Sequence, residues 1–167
     1  MTRPGDPAYL KALAHPLRQR LLFELGERAA TISQLAVILD ARKGNVAHHL
    51  KVLRDADLVH IAETRHVRGG TEHYYRRTVA RVVLDGNPAP ATAALLQAVT
   101  AELARSPTEP ILILRHLRLT EDQAARLATT LTALVDETPD AGVPQPRFGL
   151  LVSLYRTPAD DFPGVPA

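Results

Sequence analysis

The stretch that decides the fold is TISQLAVILDARKGNVAHHLKVLR, residues 31–54. Thr31, followed three residues later by Gln34, has the form of a capping box, which marks the start of a helix. On both sides of Asp40 the apolar residues then recur at intervals of three and four, the spacing of an amphipathic helix. The stretch therefore predicts two short helices joined by a tight turn.

The second of these helices, residues 42–54, has two faces of opposite character. Val46, Leu50 and Leu53 form one apolar stripe, while the opposite face and the first turn are polar and basic. Arg, Lys and Asn are side chains that pair well with base edges in a DNA major groove. The candidate DNA-contact residues of this helix are Arg42, Lys43, Gly44, Asn45, His48, Lys51 and Arg54.

Three positions of this helix admit a second interpretation. Gly44 fits a close approach of the backbone to DNA, and it fits simple fraying of the helix start equally well. His48 points outward, either as a DNA contact or as an ordinary solvated side chain. His49 lies beside the apolar stripe, where packing with a hydrogen bond is favoured over a base contact.

A hairpin is predicted after the helix. The runs 59–66 and 71–77 are strand-like and flank Gly69-Gly70, a pair typical of tight turns. Two further helices, starting at Pro7 and Pro16, precede the stretch quoted above. Helices followed by a hairpin with a basic tip indicate a winged helix. The candidate contacts of the wing are Arg65 and Arg68.

Charge is polarised along the 167 residues. Residues 1–81 contain 14 Lys and Arg against 8 Asp and Glu, whereas residues 82–167 contain 6 against 10. The first half is therefore basic, as expected of a part that binds a polyanion, although a solvated basic face would have the same composition. The absence of cysteine excludes disulfides, thiolate metal sites and a cysteine nucleophile.

The sequence predicts no enzyme and no cofactor. No spacing of Ser, His and Asp sets up a nucleophile with its base, and no glycine-rich loop precedes a Lys-Ser/Thr pair. No apolar run is long enough to span a membrane, and the first residues lack the apolar core of a secretory signal. A cytoplasmic location is therefore expected.

Three segments together resemble the ArsR-type family of bacterial regulators. They are LAHPLRQRLL at 13–22, VAHHLKVLRDADLV at 46–59 and RGGTEHYY at 68–75, and the resemblance extends over residues 8–81. It implies a dimeric winged helix that binds operator DNA and is controlled by an effector. It also implies that residues 42–45, His48 and Lys51 lie at the groove.

The sequence departs from the family at sites that matter. Many relatives sense metals through cysteines in the third helix or through His, Asp and Glu in a C-terminal helix. Here the third helix has no cysteine and residues 91–104 offer only Glu102, so metal sensing is not expected. His66 and His73 of the wing would be two ligands at most, too few for a typical site. Asp57 replaces a glycine usual in relatives, which predicts a different turn.

A helix over residues 91–104 resembles the dimerisation helix of the family. Its leucines and valine form one apolar stripe, although an intramolecular core helix would have the same pattern. The candidate dimer-interface residues, with two from the first helix, are Leu10, Leu13, Leu95, Leu96, Val99 and Leu103.

The rest of the chain predicts a strand, a helix and a strand. Residues 111–119 and 148–155 are strand-like, and Thr120 with Gln123 forms a second capping box between them. Such a unit could hold a small molecule or a partner protein, or it could extend the dimer interface.

The predicted fold is mainly α with a small β component: a winged helix-turn-helix, a C-terminal dimerisation helix and the strand-helix-strand extension. The predicted domains are residues 1–83 for DNA binding, 91–156 for dimerisation and a possible effector, and 157–167 as a mobile tail. The predicted function is a homodimeric repressor that binds double-stranded DNA at an inverted repeat and does not respond to metal. The alternative is a winged-helix module that binds a protein.

Overall fold

The structure is a computed structural model that describes residues 6–84 and 89–157. The chain divides into two compact units, Met1–Ile111 and Leu112–Ala167. The predicted tail, residues 157–167, lies outside the described residues except for Thr157. The elements are α1 (Pro7–Leu13), α2 (Pro16–Glu27), α3 (Ile32–Ile38), α4 (Lys43–Asp55), β1 (Val59–Val67), β2 (Gly70–Arg77), α5 (Ala89–Leu103) and α6 (Glu121–Glu137). The predicted class, mainly α with a small β component in a winged helix, is confirmed.

Side chains cap the first helices where the sequence predicts helix starts. The Nδ1 atom of His15 accepts a hydrogen bond of 3.1 Å from the backbone N–H of Leu17, with Pro16 as the first residue of α2. At α3 the capping box is complete: the N–H of Gln34 donates to the Thr31 hydroxyl, and the N–H of Thr31 donates to the Gln34 side chain. These bonds satisfy backbone donors that a helix start would otherwise leave unpaired.

Leucines of α2, α3 and α4 fill the core of the first unit. Val46, Leu50 and Leu53 are at most 1% exposed, so the predicted apolar stripe of α4 is confirmed. Burying each such side chain stabilises the fold by roughly 1.5–3 kcal/mol. The other fully buried leucines are Leu13, Leu21, Leu22, Leu25, Leu35 and Leu58.

The turn before β1 requires an unusual backbone conformation. Asp57 has φ 56°, in the left-handed region that favours glycine. Aspartate is one of the few other residues that tolerate this region, because its short side chain hydrogen-bonds locally. The turn therefore has the geometry that a glycine would adopt, contrary to the different turn that the sequence predicted at Asp57.

The two strands form the predicted wing as an antiparallel hairpin. Val67 pairs with Gly70, so the tip turn is Arg68-Gly69, one residue earlier than predicted. Gly69 has φ 108°, which a side chain would disfavour, and Gly70 is already paired. Ala30 and Tyr75 exchange backbone hydrogen bonds of 2.9 and 3.0 Å, which attaches the wing to the loop before α3.

The fifth helix packs against α1 and α2 through its small side chains. Ala91, Ala94 and Ala98 are at most 4% exposed. Its large apolar side chains lie on a neighbouring face, where Leu96 is 48% and Leu103 is 38% exposed. The helix thus has an inward alanine stripe and an outward leucine stripe.

In the second unit, α6 begins at the predicted capping box of Thr120 and Gln123. The two strands predicted at 111–119 and 148–155 are wrong: neither segment forms a strand. A strand needs a neighbouring backbone to pair its N–H and C=O groups, and neither segment has one among the described residues. Of the predicted strand-helix-strand extension, this unit contains the helix.

Candidate nucleic-acid interface

One face of α4 points away from the core and is basic. Burial of the apolar stripe fixes which face is presented. Arg42 is the N-cap, with an extended ψ of 137°, so it lies just before the first turn rather than within it. The residues of this face are all exposed, and they are the seven predicted ones: Arg42, Lys43, Gly44, Asn45, His48, Lys51 and Arg54.

Two of the predicted contact cations are paired within the chain. Lys51 Nζ lies 2.7 Å from Asp55 Oδ2, and Arg65 Nε lies 2.6 Å from Glu63 Oε1. Both pairs are exposed, and such pairs contribute little to stability, so a phosphate can replace the carboxylate at little cost. The predicted contact cations that form no ion pair in the described part of the chain are Arg42, Lys43, Arg54 and Arg68.

Arg18 and His49 anchor the inner side of α4. His49 is 6% exposed, and its Nδ1 atom lies 3.3 Å from Nη1 of Arg18. The same guanidinium donates to the backbone carbonyls of Lys11, at 2.8 Å, and of Ala12. One arginine of α2 thus joins α1 to the basic helix. The prediction that His49 packs with a hydrogen bond is confirmed, whereas sequence reasoning missed Arg18.

This cluster favours neutral imidazoles. Burial, the largest cause, acts together with the nearby His15, Arg18 and His48 to lower the pKa of His49 to about 4. Burial and then Arg18 also lower the pKa of His15, whose ring centroid lies 4.2 Å from that of His49. Because a guanidinium only donates, His49 accepts at Nδ1 and carries its proton on Nε2. The anchor of α4 is therefore intact when His49 is neutral.

The segment that contains α4 matches a known domain family. Residues 13–62 match the helix-turn-helix domain family. Domains of this kind place their second helix in the DNA major groove, so the match indicates a DNA-binding regulator. A search of the curated proteins found no match. None of the described helices is long and apolar enough to cross a membrane.

The wing begins at the end of the matched segment, and the two predicted arginines lie at different places in it. Arg65 stacks on Tyr74, with its guanidinium carbon 4.6 Å from the ring centroid, while it bonds to Glu63. This hydrogen bond lowers the pKa of Glu63, which keeps the carboxylate charged. Arg68 lies in the tip turn and is exposed. The more accessible cation of the wing is therefore Arg68.

The histidines of the wing are not directly opposite each other. His66 pairs with Thr71 and His73 pairs with Thr64. Each imidazole Nδ1 lies within hydrogen-bond distance of a threonine hydroxyl, at 3.4 Å for His66 and 3.1 Å for His73. The register thus gives each ring a threonine as its neighbour across the hairpin.

The predicted dimer residues divide into two groups. Leu13 is 0% exposed inside the core of the first unit, so its side chain has no surface to offer a partner, contrary to its assignment to the interface. Leu10 is half-buried against the core. The four residues on α5 form its outward stripe, half-buried or exposed: Leu95, Leu96, Val99 and Leu103.

A cavity of about 530 Å³ opens beside the start of α4. Its lining includes Arg20, Arg42 and Asn45. The buried Nε atom of Arg20 has no hydrogen-bond partner, although its Nη2 donates to the Leu39 carbonyl at 3.3 Å. The cavity therefore lies against the first turn of α4 and has a mixed polar and apolar lining.

Proposed function

We propose that this chain is a sequence-specific transcription regulator of the ArsR type, which binds an inverted-repeat operator as a homodimer and represses by occupying it. The observation that supports this most is the exposed basic face of α4, anchored from behind by Arg18 and His49. A rigid helix with exposed donors at its start suits insertion into a major groove.

The roles within this face follow from side-chain chemistry. Arg42 and Lys43 donate to the acceptors of guanine, and Asn45 pairs with adenine through its amide. Lys51 and Arg54, one or more turns further along α4, bind phosphates and position the helix without reading sequence. The wing adds a contact beside the groove.

Gly44 offers a test of how close the DNA backbone comes. A Cβ at this position would meet nothing within 4 Å, so packing among the described residues does not require glycine. We expect Gly44→Ala to leave unfolding stability unchanged or raise it by up to about 1 kcal/mol, because alanine favours helix. The same change should weaken operator binding, because the added methyl group displaces the DNA. Thermal unfolding and fluorescence anisotropy measure the two effects, and unchanged affinity would assign Gly44 to helix fraying.

Arg68 should contribute affinity without specificity. Arg68→Ala is expected to weaken binding about equally on operator and unrelated duplexes, and to reduce the slope of log affinity against log salt by about 1. Arg105→Ala is the control, since Arg105 is exposed just after α5 and its side chain donates to the Ala101 carbonyl of that helix. An Arg68 variant with the wild-type salt slope would show that the wing tip does not touch DNA.

The outward stripe of α5 is the proposed dimer contact. Leu96→Glu is expected to weaken dimerisation by at least about 100-fold, because a carboxylate cannot be buried unpaired in an apolar interface. The fold should be retained, since Leu96 is already 48% exposed in the single chain. Val37→Glu, at an 82% exposed position of α3, is the control. Sedimentation equilibrium would contradict the proposal if both variants remained dimeric.

Selection of duplexes from a random pool tests the proposed function as a whole. Enrichment of an inverted repeat, with half-sites about one helical turn apart, is the expected result for two recognition helices related by a two-fold axis. Control by a non-metal effector is proposed for residues 106–156, through a change in the spacing of those helices. A pool without enrichment would favour a winged-helix module that binds an acidic protein.

A further inference from the structure

The second unit has no buried core. No residue of 112–157 is buried, and none of α6 is. Yet the segments 111–119 and 148–155 contain large apolar side chains that water contacts freely: Ile113 is 82% exposed and Phe148 is 81% exposed. Exposed apolar patches of this extent mark a surface that something else covers.

Both segments have the residue pattern of strands. Residues 148–155 are apolar except for Gly149 and Ser153, a continuous apolar run of the kind found in buried strands. Residues 111–114 are apolar throughout, as in a strand buried on both faces. Neither segment pairs with another strand among the described residues. The missing partner must therefore supply a strand edge as well as an apolar surface.

The ends of the two segments lie close together. Arg156, directly after the second segment, forms an ion pair with Glu121, two positions after the end of the first. The C-terminal ends of the two segments thus lie near each other, with α6 in the connection between them, as in a β-α-β unit. They do not pair with each other along their lengths, so each keeps backbone donors and acceptors that a further strand can use.

We propose that a second copy of this chain is the partner, and that residues 111–119 and 148–155 of two protomers form one intermolecular β-sheet. The large apolar side chains of the two segments are 38–90% exposed, and together they offer an area on the order of the roughly 800 Å² that each partner buries in a standard protein interface. A two-fold axis brings the same strand edge of both copies together, so each copy supplies the backbone hydrogen-bond partners that the other lacks. This interface goes beyond the proposed function and does not depend on DNA binding.

Hydrogen exchange of the full chain, followed by mass spectrometry at two protein concentrations, tests the sheet. Above the dimer dissociation constant, amides of 112–119 and 148–155 should exchange at least about tenfold more slowly than in a monomer. Dilution below the dissociation constant should remove this protection. Sedimentation equilibrium on the same samples determines which species is present.

A matched pair of variants makes the test specific. Ile113→Asp should abolish the protection and weaken dimerisation by at least about tenfold, because the charge enters the sheet. Val37→Asp should leave both the protection and the dimerisation unchanged. It is a matched control because Val37 and Ile113 are both β-branched and both 82% exposed in the single chain. Circular dichroism shows whether each variant retains its helices.

Four results would overturn the proposal. Fast exchange of both segments in a wild-type dimer would show that they are unpaired there. Protection that persists in the monomer would make the pairing intramolecular, and protection that appears only with phosphatidylglycerol vesicles would assign the surface to lipid. Equal behaviour of the Ile113 and Val37 variants would remove the segment from the interface. DNA binding is tested separately, by selection of duplexes from a random pool. Loss of the proposed sheet would therefore leave the proposed DNA-binding function standing.

Discussion

Replacing Arg42 and Lys43 together by alanine is expected to weaken operator binding by at least about 100-fold while the fold stays intact. A well-placed contact to a base contributes about 1–3 kcal/mol, and about 1.4 kcal/mol corresponds to a factor of ten. Both side chains are exposed and have no ion pair in the described part of the chain, so their loss leaves neither a cavity nor a stranded partner. Fluorescence anisotropy measures the affinity, and thermal unfolding checks the fold.

The control variant loses the same two positive charges from residues that lie outside the proposed DNA-binding surface. Arg28→Ala/Arg105→Ala takes two exposed positive charges from positions outside α4 and the wing. We expect this control to lose little affinity and to keep its preference for the operator. Equal losses of affinity in the two double variants would show that α4 contributes only non-specific positive charge. An unchanged footprint of the Arg42 and Lys43 variant would show that another surface reads the DNA sequence.

Acid is expected to destabilise the first unit through His49. Burial, together with the nearby His15, Arg18 and His48, holds the pKa of His49 at about 4 in the folded chain, whereas an unfolded histidine titrates near 6.5. Between these values the unfolded state binds more protons, so stability rises with pH. The contribution is fully present above about pH 6.5 and is lost as the pH falls towards 4. A separation of this size corresponds to a loss of up to roughly 3 kcal/mol.

Urea unfolding at a series of pH values measures this loss. His49→Gln keeps a polar side chain that can accept from Arg18 but does not titrate, so its stability should change much less between pH 6.5 and 4. His48→Gln changes the exposed neighbour and should retain the wild-type acid limb. If His49→Gln showed the same pH dependence as wild type, the acid sensitivity would have to come from other groups.

Local patterns allowed the helices to be predicted, because their causes lie within a few residues. Thr31 and Thr120 each cap a helix through the residue three positions later, and the backbone needs no distant partner to form these bonds. The stripe of Val46, Leu50 and Leu53 follows from helical periodicity alone. The exposed face of α4 could therefore be predicted residue by residue.

Contacts between distant segments could not be predicted in this way. Arg18 and His49 are 31 positions apart, and nothing in the spacing of either residue indicates the other. The face that α5 turns inward depends on how closely α1 and α2 approach, which selects Ala94 and Ala98 over Leu96. A leucine at 13 looks the same in sequence whether the core or a partner covers it.

The strands predicted at 111–119 and 148–155 were wrong for a related reason. A run of apolar residues shows that a segment can form a strand, but a strand exists only when another backbone pairs with it. Such a run contains no information on where that backbone is. The proposed second copy supplies it, and the two segments would then be strands in the dimer only.

Fluorescence anisotropy across a salt series tests the central claim, that α4 and the wing read DNA sequence, most directly. The labelled duplexes are the region upstream of the chain's own gene and a scrambled version with the same composition. Binding to the native duplex should persist at salt concentrations that abolish binding to the scrambled one, because base contacts survive where phosphate contacts alone do not. Equal affinities that fall together with salt would contradict the claim and leave only a basic surface.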